Sequence, residues 1–251
     1  MMERIRRVLA RVGVWADDLL YPQDVACLCC DGALGEKDTD GVCASCQAAL
    51  QRLAQRQEER EADGLEPLPE GLDALHAAFV YEGPARKLVH RLKYESVRAA
   101  AVPLARQMAY LSAGEEEMIV PVPTDAKRER KRGFNQSEVL AQYMADELGM
   151  RMERALIRVD ARRPQTGLTA QERMENLVGC MAAGDAVNGK RVLLVDDVVT
   201  SGATVLEAAR ALRRAGARSI CVFAAARACG DMGEQRDPFA PFSGRTNREL
   251  R

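Results

Sequence analysis

Two hydrophobic rhythms alternate along the chain. Short apolar runs read as strands: "LHAAFVYEG" ending at Gly83, "EMIVPVP" from Glu117 to Pro123, "RALIRV", "KRVLLVD" and "RSICVFAAA". Between them lie stretches of helical period. "PARKLVHRLKY" opens with Pro84, which suits a first helical turn, and sets Leu88 and Leu92 on one face. A second helix runs through Leu104 and Met108. "NQSEVLAQYMADELG" spaces Val139, Leu140, Tyr143, Met144 and Leu148 helically and stops at Gly149. "LTAQERMENL" offers Thr169 and Glu172 as a capping box, and "TVLEAARALRRAG" is a helix with Gly216 past its end. Strands alternating with helices predict an α/β domain over residues 72–228, a largely parallel sheet flanked by helices.

The remaining segments lack that rhythm. Residues 1–50 hold a basic, mildly amphipathic start and a cysteine-rich module, residues 51–71 a helix running out into a polar linker. Residues 229–251 form a polar tail expected to be disordered. The N-terminus lacks the apolar core and small-residue cleavage site of a signal peptide, and no run approaches the roughly 20 apolar residues of a membrane span. A cytoplasmic location is expected. The formal net charge of −1 excludes a global basic field for nucleic acid.

Cysteine changes the picture. Cys27, Cys29, Cys30, Cys43 and Cys46 crowd one stretch, while Cys180, Cys221 and Cys229 stand alone. Cys27/Cys30 and Cys43/Cys46 give two C-x2-C knuckles with twelve residues between them, a spacing that suits tetrahedral zinc. Asp31-Gly32 supplies a tight turn after the first knuckle. So short a block cannot bury enough core to fold alone, which favours a structural metal over a redox pair. Cys29 is a fifth thiol that leaves the first knuckle's ligands slightly open.

"RVLLVDDVVTSGAT" sets two acids, Asp196 and Asp197, directly before a Gly-containing turn and a helix. A Walker B strand would need a P-loop. Gly184 to Lys190 imitates one, but Arg191 replaces the Ser/Thr and the stretch leads into a strand, so it reads as an ordinary turn. Acids that merely end a strand would leave the turn unused. A third reading uses every part. The turn and helix N-terminus hold a phosphate through backbone N–H groups, with hydroxyls from Thr200, Ser201 and Thr204 and close approach at Gly202. Ionised Asp196 and Asp197 only accept hydrogen bonds, so they suit vicinal hydroxyls. A sugar 5-phosphate presents both surfaces.

This motif resembles the phosphoribosyl pyrophosphate (PRPP) signature of type I phosphoribosyltransferases. The resemblance implies that Asp196 and Asp197 meet the ribose and that Val199, Thr200, Ser201, Gly202, Ala203 and Thr204 meet the 5-phosphate. With "YEGPARKLVHRLKYESVRAAAVPLA", "VPVPTDAKRERKRGFNQSEVLA" and "RRPQTGLTAQERMENLVG" in order behind a cysteine block, residues from about 15 to 227 resemble the ComF family of ComFC-type competence proteins. That likeness implies DNA uptake in natural transformation, with competence proteins as partners. It also implies Mg²⁺ with PRPP. Cys29, the polar stretch after Cys46 and the tail depart from the family pattern.

The run "KRERKRGFNQ" is expected as a basic loop at the sheet edge that also carries the acids. Lys127, Arg128, Arg130 and Arg132, with Gly133, are candidates for a diphosphate or nucleic-acid backbone, because arginine pairs bidentately with phosphate. The resemblance points most firmly to Arg132 and to the run from Gly133 to Gln136, and adds Lys93. Arg173 and Asn176 share a helical face and divide evenly between ligand contact and helix surface. His76 and His90 lack a partner pattern for nucleophilic catalysis. Two functions follow: a phosphoribosyltransferase whose acceptor-selecting hood lies within Leu72 to Met108, or a non-catalytic single-stranded DNA-binding protein that reuses the fold. With 4% aromatic residues, stacking platforms are scarce, and Phe134 and Tyr94 are the placed ones.

Overall fold

The computed structural model describes residues 26–65, 68–112, 114–159 and 179–228. The segment of Thr169, Glu172, Arg173 and Asn176 lies outside them, as do Cys229 and the tail. The first elements are helix α1 (Ala44–Ala62), strand β1 (Ala74–Val80) and helices α2 (Gly83–Tyr94) and α3 (Ala101–Tyr110). Strand β2 (Met118–Pro121) and helices α4 (Ala126–Arg132) and α5 (Gln136–Leu148) follow. The chain continues through β3 (Leu156–Arg158), β4 (Met181–Ala183), β5 (Arg191–Val199), α6 (Ala203–Arg214) and β6 (Ser219–Arg227).

Four strands form a parallel sheet in the order β1-β6-β5-β2, and β3 and β4 pair as a separate two-stranded antiparallel sheet. The expected α/β architecture is therefore present. Central strand β5 is buried from Val192 to Asp197, as a strand covered on both faces must be. Its alternation sorts the core. Leu193 and Val195 join a cluster with Leu88 and Leu92 of α2, Leu104 of α3 and Leu140 of α5. Val192 and Leu194 join another with Val205 and Leu212 of α6. Helix α2 presents Ala85, Leu88, Val89 and Leu92, one stripe at 3.6-residue spacing, with proline in its first turn.

The cysteine segment is packed onto this scaffold. Cys27, Leu28 and Val42 share the first cluster with Leu50, Leu53 and Ala54 of α1. Asp31 and Asp40 both take left-handed backbone, and their carboxylates pair with Arg91 of α2 and Arg106 of α3. At the far end of α1, Glu61 Oε1 accepts from the N–H of Ala77 (3.0 Å) on edge strand β1, and Glu61 Oε2 lies 3.1 Å from His76 Nδ1. One outward donor of a sheet edge is thereby satisfied.

Two expectations are refined and a third is met. The basic run is a helix rather than a loop: Asp125 caps α4 by accepting from the N–H groups of Lys127 and Arg128, and Gly133 ends it at φ 83°. The strand expected as "KRVLLVD" continues to Val199, because Val198 and Val199 pair with Ala226 and Arg227. Gly184 to Arg191 is a short 3-10 turn leading into β5, as a false P-loop should be. Among the described residues no helix is long and apolar enough to cross a membrane.

Candidate functional site

The carboxyl ends of β2 and β5, neighbours in the sheet, bring the site together. Asp196 and Asp197 are the last buried polar residues of β5, with 7% and 4% exposure. Consecutive strand residues face opposite ways, so the two acids reach different partners. Asp197 Oδ1 lies 2.8 Å from Lys93 Nζ, delivered by the last turn of α2. Asp196 Oδ1 accepts from Ser137 Oγ (3.0 Å) and from the backbone N–H of Asp197 (2.9 Å). Asp197 Oδ2 is buried and has no hydrogen-bond partner. A buried acceptor left in that state costs about 1–3 kcal/mol or more for a charged group, so it marks a place shaped for a donor.

The electrostatics are asymmetric. One lysine serves two acids. Burial and then the charge of Asp197 push the Asp196 carboxyl up to about 7, against the pull of the Asp197 N–H, Lys93 and Ser137. Burial works against the Lys93 ammonium, but the Asp197 carboxylate outweighs it and holds its pKa above the usual lysine value. Lys93 was grouped by sequence with the diphosphate-facing cations. Its ion-pair partner is Asp197 of the acidic pair.

Beyond β5, Thr200 and Ser201 are exposed, and Gly202 takes φ 77° as the cap of α6. Gly202 gives this helix no side-chain cap, and the first-turn N–H groups of a helix are donors suited to an anion. A Cβ at position 202 would meet Pro69 Cγ at 3.4 Å in a backbone conformation that disfavours side chains. Thr204 is half-buried in the first turn and Ala203 opens it.

Lys127, Arg128 and Arg130 are exposed on α4, and Arg132 is half-buried at its end. Arg132 donates to Gln136 Oε1 (2.8 Å). Asn135 caps α5, accepting from the Ser137 N–H and donating from Nδ2 to the Val122 carbonyl (3.0 Å). This cap ties the helix start to the end of β2 and aims Ser137 at Asp196. Sequence reasoning missed Ser137. A signal existed, since Asn135 three residues before Glu138 is a cap pattern, but the pairing with Asp196 spans 59 residues.

The cysteines converge as their spacing predicts. The Sγ atoms of Cys27, Cys30, Cys43 and Cys46 all lie within 4.8 Å of one another, close to the ~3.8 Å edge of a zinc–thiolate tetrahedron. Backbone N–H groups of Cys29 (3.4 Å) and Cys43 (3.3 Å) donate to Cys27 Sγ, the arrangement a metal-bound thiolate needs. Ser45 and the Cys46 N–H lower the Cys43 thiol to about 6. Cys29 stands outside the group, and burial, then the charge of Cys27, push its thiol up to about 12. The four residues therefore fit a metal ion, and the fifth thiol does not belong to the set.

A family model for the phosphoribosyl transferase domain matches residues 135–238, which include the Asn135 cap, the acidic pair and α6. With the parallel sheet, this match defines the class: an α/β protein carrying a phosphoribosyltransferase domain. DNA utilization protein YhgH of Salmonella typhimurium is 38% identical over 152 residues, 57% of this chain and 67% of that protein. Competence protein F of Haemophilus influenzae is 30% identical over 212 residues, 79% of this chain and 90% of that protein. Competence protein ComFC of Bacillus subtilis is 26% identical over 207 residues, 79% of this chain and 82% of its own length. The chain belongs to the ComF family of competence proteins. Among solved structures, a glutamine PRPP amidotransferase from Bacillus subtilis is 26% identical with a TM-score of 0.39, over 51% of this chain and 26% of that one. At that score the assignment rests on the sequence relatives.

The raised pKa of Asp196 has a stability consequence. A folded pKa near 7 exceeds the roughly 3.9 of an unfolded aspartate, so the group contributes its full stability below about pH 4 and loses it as pH rises through 7. Asp196→Asn keeps an oxygen acceptor for Ser137 and does not titrate. Its melting temperature is expected to match wild type near pH 4.5 and to exceed it by about 5 °C or more at pH 8. A gap that is the same at both pH values, read by calorimetry, would refute the assignment.

Proposed function

We propose that this chain binds a ribose 5-phosphate compound, PRPP foremost, at the acidic pair, within the DNA utilization and competence for which its relatives are named. The observation that carries this reading is the buried, unpartnered Asp197 Oδ2 beside a helix N-terminus with no side-chain cap. Acceptors at one end and backbone donors at the other match vicinal hydroxyls and a phosphate on one pentose. Asp196 and Asp197 take the hydroxyls, with Lys93 paired to Asp197 Oδ1 and Asp197 Oδ2 left to accept. Val199 ends the strand that positions the loop. Thr200, Ser201, Gly202, Ala203 and Thr204 surround the 5-phosphate. The cations of α4, with Gly133 freeing its end, face the diphosphate.

As a phosphoribosyltransferase, the site would break the bond from C1 to the diphosphate, whose oxygen keeps the electron pair while an acceptor nitrogen forms the new bond. The protein contributes position and charge. Mg²⁺ bound with the diphosphate supplies further charge neutralisation. Cys27, Cys30, Cys43 and Cys46 would hold a structural Zn²⁺. A second reading, single-stranded DNA binding, is favoured by the exposure of Lys127, Arg128 and Arg130 on one short helix.

Four measurements test these statements. Asp196→Asn with Asp197→Asn should weaken binding of PRPP and ribose 5-phosphate at least 100-fold by titration calorimetry with Mg²⁺ present, with the circular dichroism spectrum kept; unchanged affinity sinks the sugar-phosphate reading. Diphosphate release with candidate bases then reports turnover. Cys43→Ser should reduce zinc content from one ion per chain to near zero, whereas Cys29→Ser should leave it at one, as read by elemental analysis. Replacing Lys127, Arg128 and Arg130 by Gln should flatten the logarithmic salt dependence of oligonucleotide affinity by about 2, at ~0.7 per phosphate contact on a single strand. An unaltered slope removes α4 from the nucleic-acid contact.

A further inference from the structure

Of the two aromatic side chains singled out by sequence, the structure eliminates one and promotes the other. Phe134 is buried to 9% exposure, and the Arg98 guanidinium carbon sits 4.9 Å from its ring centroid. It holds the turn between α4 and α5 and offers little face to a ligand. Tyr94 ends α2 with 55% exposure. The Arg132 guanidinium carbon lies 5.3 Å from its ring centroid, and the His90 ring, one helical turn earlier, lies 4.8 Å away at 44°.

Both members of this pair are anchored next to the acidic site. Tyr94 directly follows Lys93, whose ammonium holds Asp197. Arg132 is held by Gln136 Oε1, and Gln136 directly precedes Ser137, which holds Asp196. The Ser96 hydroxyl donates to the Arg132 carbonyl (3.3 Å), fixing the backbone that carries the guanidinium. The ring therefore sits one residue after the lysine that holds Asp197 and against the arginine that ends the cationic helix α4. Flat groups of this kind, with the guanidinium oriented before a ligand arrives, stack on bases of any sequence.

We propose that Tyr94 and Arg132 form a stacking platform for an unpaired nucleobase at the rim of the acidic pair's site. The inference rests on the proposed sugar-phosphate and phosphate contacts and adds the recognition of a base. The base comes either from a nucleotide whose phosphate sits on the loop before α6 or from a single strand whose neighbouring phosphates lie along α4. Either source presents the same π face.

Tyr94 is exposed, so its substitution leaves the core untouched. The test compares wild type with Tyr94→Phe and Tyr94→Leu, the latter keeping apolar bulk without a ring. The ligands are a twelve-residue oligothymidylate, an abasic strand of the same length, thymidine monophosphate and ribose 5-phosphate. Tyr94→Leu should weaken the oligothymidylate about tenfold, leave the abasic strand and ribose 5-phosphate within twofold, and keep the salt slope; Tyr94→Phe should retain wild-type affinity. Loss for thymidine monophosphate as well assigns the base to a nucleotide in the site; loss for the strand alone assigns it to single-stranded nucleic acid. Equal weakening of abasic and base-bearing ligands, or no weakening at all, overturns the platform while leaving the phosphate contacts standing. If wild type binds neither the abasic strand nor ribose 5-phosphate, the underlying reading fails and takes the platform with it.

Discussion

The ion pair between Lys93 and Asp197 is what allows a central strand to carry two buried acids near its carboxyl end. Taking a carboxylate out of water costs several kcal/mol unless a counter-charge and hydrogen bonds replace the solvent. Lys93 answers for Asp197. Asp196 has two hydrogen-bond donors but must share the lysine's field, and its proton affinity rises accordingly. The lysine can be there because α2 packs Leu88 and Leu92 into the core while its last turn reaches Asp197 near the carboxyl end of β5. The core stripe, the strand order and the acidic pair are thus one requirement expressed at three scales.

Much of this was legible in the sequence, for reasons that differ by element. The strands and helices around the site are set by local period, and β5 and α6 follow the rhythm of "RVLLVDD" and "TVLEAARALRR". The four-cysteine set follows from spacing, since two knuckles constrain geometry within a few residues. Illegible were the contacts that only folding creates. Ser137 reaches Asp196 from a helix 59 positions away, and Lys93 turns toward an acid rather than joining the cationic helix. Strand β4 was missed because "MAA" carries no strand signature of its own and exists through its pairing with β3. The basic run was misjudged for a more local reason. Seven charged or small residues hide a helix when Asp125 and Gly133, its two ends, are not read as caps.

The relation between charge and order differs across the molecule. On α4 the cations stand out in solvent, and the helix buries no residue. Such a helix keeps its shape through its caps and leaves its charges for something else. Around the acids, by contrast, Lys93 is bonded to Asp197 Oδ1 and Ser137 to Asp196 Oδ1, while Asp197 Oδ2 is buried without a partner.

Helix α2 is held from two sides. Arg91 turns outward to Asp31 at the first cysteine knuckle, and Lys93, two residues and roughly 200° further round, turns inward to Asp197. Arg106 of α3 makes the matching contact to Asp40, and Leu28, Val42 and Leu53 continue the same apolar cluster. The cysteine segment is therefore not a bead on a string. Cutting the chain before β1 would not liberate a self-sufficient sheet. It would bare an apolar flank, take the Asp40 carboxylate from Arg106, leave Arg91 with Glu95 alone and loosen the helix that brings Lys93 to the acids.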